Sequence, residues 1–161
     1  MTLADPAAAS DSHADATELE LLSFHVGDHE YSVDIMAVRE IRGWTRATSL
    51  PHAPAYVRGV INLRGAVLPV VDLALRLGLE VEEPTDRNVI IVVDIGGRTV
   101  GLRVDAVSDI LSFPRNALQA PPEMSADRDH AFIQALTILD GRMIRILDLG
   151  AVLPGDTDAA A

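Results

Sequence analysis

The chain carries one pattern twice, and that limits it to folds built from two like halves. Gly27-Asp-His-Glu-Tyr-Ser-Val-Asp-Ile-Met-Ala-Val-Arg-Glu-Ile41 aligns without a gap on Gly96-Gly-Arg-Thr-Val-Gly-Leu-Arg-Val-Asp-Ala-Val-Ser-Asp-Ile110, at an offset of 69 residues. Tyr31 falls on Val100, Val33 on Leu102, Ile35 on Val104, and Ala37-Val38 on Ala106-Val107. Further on, Gly65-Ala-Val-Leu-Pro-Val-Val-Asp-Leu73 aligns on Gly141-Arg-Met-Ile-Arg-Ile-Leu-Asp-Leu149 at an offset of 76. The second copy therefore carries seven extra residues between its motifs, expected around Phe113–Arg128, where Pro114, Pro121 and Pro122 mark an irregular connection.

Within each copy the period is two. Leu22, Phe24 and Val26 alternate with Ser23 and His25, a turn follows at Gly27-Asp28, and Tyr31, Val33 and Ile35 then alternate with Ser32 and Asp34. This predicts a hairpin with one buried face. Val89-Ile-Ile-Val-Val93 is apolar throughout, as a strand covered on both sides would be. Gly59 and Gly65 bracket Asn62-Leu63-Arg64, which reads as a structural turn feeding the strand Ala66–Val71. Helical signal is confined to Ala53–Val57, Leu73–Leu77 and Leu149–Leu153. Short strands with glycine turns at regular spacing point to small β-barrels, whose closure removes exposed sheet edges. The expected organisation is a disordered acidic tail over residues 1–17, one domain over 18–154 and a disordered tail over 155–161. Its first barrel unit is expected over about 20 to 80 and its second over about 88 to 153, the halves sharing a core.

Charge and composition exclude several classes of function. Thirteen basic residues, all arginine, stand against 24 acidic ones for a net charge of −11. That balance disfavours nucleic acid and anionic membrane surfaces, which need a basic face. There is no cysteine, so disulfides, thiolate metal sites and cysteine nucleophiles are ruled out. No stretch reaches the ~18 apolar residues of a membrane span. The N-terminus lacks the basic start and apolar stretch of a signal peptide, so a cytoplasmic location is expected.

Candidate chemistry is sparse. Asp72 and Asp148 are equivalent, and a symmetric acid pair is how an aspartic protease is built. The Asp-Thr/Ser-Gly context of such enzymes is missing, however, and each aspartate ends a strand and opens a short apolar helix, the place of a helix cap. His25 and His29 have the spacing of a helical zinc pair, but the turn at Gly27-Asp28 destroys that register. No metal or cofactor is implied. Glu40 and Arg64 read equally as two solvated surface charges that contribute little to stability, or as a partly buried pair fixing the Asn-Leu-Arg-Gly turn against the strand at Val38–Ile41.

The run Pro51-His-Ala-Pro-Ala-Tyr-Val-Arg-Gly-Val-Ile-Asn-Leu-Arg-Gly-Ala-Val-Leu-Pro-Val-Val-Asp-Leu73 closely resembles the signature of the CheW family of bacterial chemotaxis coupling proteins. Tyr31–Gly43 and Val100–Leu111 resemble its two other hallmark stretches, in the right order, and the likeness extends from about Glu20 to Leu153. The resemblance implies two intertwined five-stranded Src-homology-3-like barrels. It implies a non-enzymatic adaptor joining the helical cytoplasmic tip of chemoreceptors to the CheA histidine kinase. It assigns partner contact to Val38, Glu40, Arg64, Val89 and Ile110; Val38, Val89 and Ile110 would line a groove between the barrels, although on the residues alone each reads first as core, and Arg39, Arg42, Arg58 and Arg64 would flank that groove. The rival readings are a CheW-like scaffold in a non-motility pathway, a piece of a larger protein such as CheA or CheV, and a small acid hydrolase using Asp72 and Asp148.

Overall fold

Apolar alternation and glycine at the turns divide the described residues into ten strands. The computed structural model describes residues 18–80, 83–120 and 132–153; the predicted tails at 1–17 and 155–161 lie outside them. The strands are β1 (Glu18–Val26), β2 (His29–Asp34), β3 (Val38–Gly43), β4 (Val57–Leu63), β5 (Ala66–Asp72), β6 (Val89–Ile95), β7 (Arg98–Val104), β8 (Ala106–Pro114), β9 (Ile133–Leu139) and β10 (Arg142–Leu147). Short helices α1 (Leu73–Arg76) and α2 (Leu149–Val152) follow β5 and β10. Ala53–Val57, expected to be helical, instead makes turns, with Val57 N bonding Pro54 O at 2.9 Å. A residue ahead of proline is pushed out of the α region, so Ala53 cannot begin a helix there. No helix among the described residues is long and apolar enough to cross a membrane.

Two five-stranded sheets form, ordered β8-β1-β2-β10-β9 (the first barrel) and β3-β6-β7-β5-β4 (the second). Replacing β1–β5 by β6–β10, and the reverse, converts one order into the other. Even the parallel joints correspond: Ser32 pairs with Ile146 in the first barrel, and Gly101 with Val70 in the second. Each barrel closes through the segment beyond its edge strand. Thr48 exchanges two 2.8 Å bonds with Val60, and Gln119 exchanges two with Leu136. The hairpin β1–β2 thus joins strands of the second repeat, and β6–β7 joins strands of the first. Both sequence units contribute to both barrels.

This exchange decides burial. Leu22, Phe24 and Val26 enter a central cluster between the barrels, while Leu19 and Leu21 of the same strand line the interior of the first barrel. The hairpin predicted to bury one face therefore buries two, because it has a barrel on one side and the other half of the molecule on the other. Ser23 and Ser32 are fully enclosed, and Ser23 Oγ donates to Glu30, whose carboxylate Arg142 also reaches at 3.3 Å. Val89–Val93 is covered on both sides, with Ile91 and Val93 in the central cluster and Ile90 and Val92 inside the second barrel. Among the described residues, nineteen buried ones form the central cluster, against six in each barrel interior. At about 1.5–3 kcal/mol for each fully buried large apolar side chain, the joint between the barrels contributes more apolar burial than either barrel interior.

Candidate functional site

Between β4 and β5, Leu63 pairs with Ala66, leaving Arg64-Gly65 as a two-residue loop. Their φ values of 51° and 87° make it a type I′ turn, whose twist matches that of the flanking strands. Asn62 Oδ1 accepts the Gly65 N–H at 3.0 Å. Gly59 is not part of this turn, which corrects the sequence reading. It sits inside β4 at a bulge with φ 143°, and a Cβ there would lie 2.1 Å from the Thr48 carbonyl oxygen. Glycine is needed because the segment that closes the second barrel passes directly against it.

The turn carries Arg64 to Glu40 on β3, and the two form an ion pair. Arg42 reaches the other carboxylate oxygen of Glu40 at 3.3 Å. The hydrogen bond from Arg64 holds the Glu40 carboxyl below its ordinary value of 4.5, with charge attraction to Arg64 and Arg42 adding to it and partial desolvation opposing it. Arg64 remains 73% exposed, so the pair contributes little to stability. A long charged side chain is also a poor occupant of the first position of a I′ turn, which favours Asn, Asp or Gly. Beside Arg64, Arg39 pairs with Asp94 at 2.6 Å, and Leu63, Val67 and Leu68 line the same shallow depression at the mouth of the second barrel.

The apolar candidates lie elsewhere. Val38 pairs across the sheet with Val93, Val89 with Val104 and Ile110 with Leu22, and all three of those partners belong to the central cluster. Val38, Val89 and Ile110 therefore share the sheet faces turned toward the joint between the barrels. Val38 and Val89 pack against the cluster, whereas Ile110 is 61% exposed at its margin. The symmetry mate of Val38 is Val107, and that of Ile110 is Ile41, which the sequence reading missed although the 69-residue offset points to it. Ile41 is 45% exposed.

Of the four arginines expected to flank the groove, Arg58 is committed internally. Its Nε and Nη2 both lie 2.8 Å from Asp72 Oδ2. Asp72 is fully buried, and its other oxygen accepts from Ala74 N at 3.1 Å and from Arg103 at 3.4 Å. Arg103, buried in β7 and also bonded to Asn88 at 2.8 Å, completes a network that strand alternation alone does not reveal. Asp148 is exposed and accepts from Ala151 N at 3.4 Å. Both aspartates stand at helix N-termini, but one is locked between two arginines and the other faces solvent. Such a pair does not share a proton, so the acid-hydrolase reading has no geometry behind it. His25 meets Ser108 at 3.3 Å, and the His29 ring stands edge-on to Tyr31.

Comparison with known proteins agrees with this arrangement. The family model for the CheW-like domain matches residues 20–156. The chain is 54% identical over 142 residues to "Chemotaxis protein CheW" of Rhizobium meliloti, covering 88% of this chain and 92% of that protein. It is 51% identical over 142 residues to the "Probable chemotaxis protein CheW" of Rhizobium etli, with the same coverage. The crystal structure of the scaffolding protein TtCheW from Thermoanaerobacter tengcongensis superposes with a TM-score of 0.79 at 31% identity, over 86% of this chain and 94% of that one. With three motifs, the exchanged barrels and these relatives in agreement, the chain belongs to the CheW family of chemotaxis scaffold proteins and is an adaptor rather than an enzyme.

Proposed function

We propose that the chain couples the cytoplasmic tip of methyl-accepting chemoreceptors to a CheA-type histidine kinase, as a cytoplasmic protein recruited to receptor arrays at the membrane. The observation that carries this reading is the separation of the candidate residues into two places. Glu40 and Arg64 form a charged rim at the mouth of the second barrel, while Ile110 stands exposed on a strand of the first barrel and Val38 and Val89 pack against the central cluster. A charged rim suits a folded kinase regulatory domain. An apolar margin suits a helical receptor hairpin, whose side chains recur at i, i+3, i+4 and i+7. Holding both partners at once raises their effective concentration without new chemistry.

A binding titration against the regulatory domain of the cognate kinase tests the reading, with wild type and Arg64→Glu in parallel. Wild type binds saturably, and Arg64→Glu, which turns the pair with Glu40 into a repulsion, binds at least about tenfold more weakly. No binding by folded wild type at high micromolar concentration would remove the function. Normal binding by the variant would instead remove Arg64 from the contact. Ile110→Arg tests the other surface, and is expected to abolish receptor-dependent kinase stimulation while leaving kinase binding intact.

A further inference from the structure

The two short helices meet where the repeats face one another, and the contact between them is not symmetric. Tyr56 and Phe132 are mates under the 76-residue offset, and each gives its carbonyl to the N–H of a capping aspartate: Tyr56 O to Asp72 N at 2.7 Å, Phe132 O to Asp148 N at 2.8 Å. One guanidinium lies over both rings. Arg76 Cζ is 4.1 Å from the Tyr56 ring centroid and 5.0 Å from that of Phe132. Its Nε donates to Val152 O at 2.9 Å and its Nη2 to Ala151 O at 3.1 Å, the last carbonyls of α2. Arg76 thus extends from the helix of one repeat onto the aromatic ring and helix end of the other. Its own mate under the offset is Val152, which is fully buried. A second arginine there would press two guanidiniums together near the pseudo-twofold axis, so the arrangement accepts one.

We propose that Arg76 is the positioning residue that sets how the two barrels face each other, and through that angle the relative placement of the two partner surfaces. The planar fork is what the site uses: it stacks on two rings while closing two carbonyls left open at a helix end, which a lysine ammonium does not reproduce. The functional half of this inference rests on the adaptor reading; the geometric half does not.

The experiment separates the two. The chain has no cysteine, so spin labels can be placed at Val67→Cys and Met143→Cys, exposed mates on the second and first barrels. The inter-label distance distribution is measured in the full chain with Arg76, Arg76→Lys and Arg76→Gln. Both variants are expected to stay folded and to show a shifted or broadened distribution. Without the labels, they bind receptor and kinase separately to within about twofold of wild type but lose roughly tenfold in receptor-dependent kinase stimulation. A lower urea midpoint with an unchanged distribution overturns the proposal, since it would make Arg76 a stabilising residue only. A changed distribution with full stimulation overturns the functional half. If the wild type stimulates no kinase, the adaptor reading fails, and the distance distribution still decides the role of Arg76.

Discussion

At equivalent places in the two barrels, Glu40 meets Arg64 in the second, while Asp109 and Asp140 stand in the first. The backbones agree closely. Arg64 and Asp140 both have φ 51°, and the following glycines have φ 87° and 79°. The bulge in β4 opposite Val70 recurs in β9 opposite Ile146. The cross-strand pair Arg39–Asp94 becomes Ser108–His25, at 2.6 Å and 3.3 Å. Asp72 lies between Arg58 and Arg103, but Asp148 has Gln134 and Asp34 at the matching positions and faces solvent. Apolar alternation and turn glycines hold the shared register. Solvated charges, contributing little to stability, are free to differ. What separates the barrels is therefore their charged chemistry: the Glu40–Arg64 pair at the surface and the buried Arg58–Asp72–Arg103 network both belong to the second.

The contrast at the capping aspartates gives the largest expected effect. Asp72→Ala leaves Arg103 as a buried charge without its main carboxylate and should cost about 3–5 kcal/mol in urea unfolding, whereas Asp148→Ala loses an exposed cap at about 1 kcal/mol. Equal losses would break the comparison. At the matched bulges, Gly59→Ala should cost roughly 2–4 kcal/mol from strain and the clash with Thr48, while Ala135→Gly at the mate position costs about 0.5–1 kcal/mol. Tolerance of alanine at 59 would mean that the closing segment can move away. The smallest effect is at the rim. Arg64→Asp copies the first barrel's turn, in which Asp-Gly is a favoured pair, so the midpoint should hardly change although kinase binding falls.

The same variant sharpens the pH behaviour. In wild type the folded Glu40 carboxyl titrates below its ordinary 4.5 because Arg64 bonds its ionised form. Its small stabilising contribution is thus present above that value and lost as pH falls through the lower folded one. In Arg64→Asp the titration moves upward. Carbon-detected NMR of the Glu40 side chain reads the change directly, and an unmoved curve would mean that the pair does not persist in solution.

Strands and hairpin turns were legible because their signals are local: a period of two, glycine at positive φ, and an aspartate ahead of a short apolar helix. The candidate pair Glu40–Arg64 was half legible: one turn and one strand bring the residues close in sequence pattern, but a pair and two separate surface charges stayed equally open until the fold set β3 beside the turn. Other features were not. The inward-facing Leu19 and Leu21, the close approach of Thr48 to Gly59 and the commitment of Arg58 to Asp72 all depend on segments distant in sequence. In sequence Arg58 is indistinguishable from the other groove arginines; only the fold brings Arg103 and Asn88 to the same network.

The sequence by itself determined the duplication, the strand pattern, the turns and the family. Tertiary structure alone decided that the repeats exchange hairpins, and with that which faces are buried and which arginines stay exposed. The reason lies in the duplication. β1–β2 and β6–β7 carry nearly the same alternation, so either hairpin satisfies either set of partner strands by pattern alone. The choice is made by the short links, Ile35–Ala37 before β3 and Asp105 before β8, and by the apolar surface that only the exchanged arrangement encloses between the barrels.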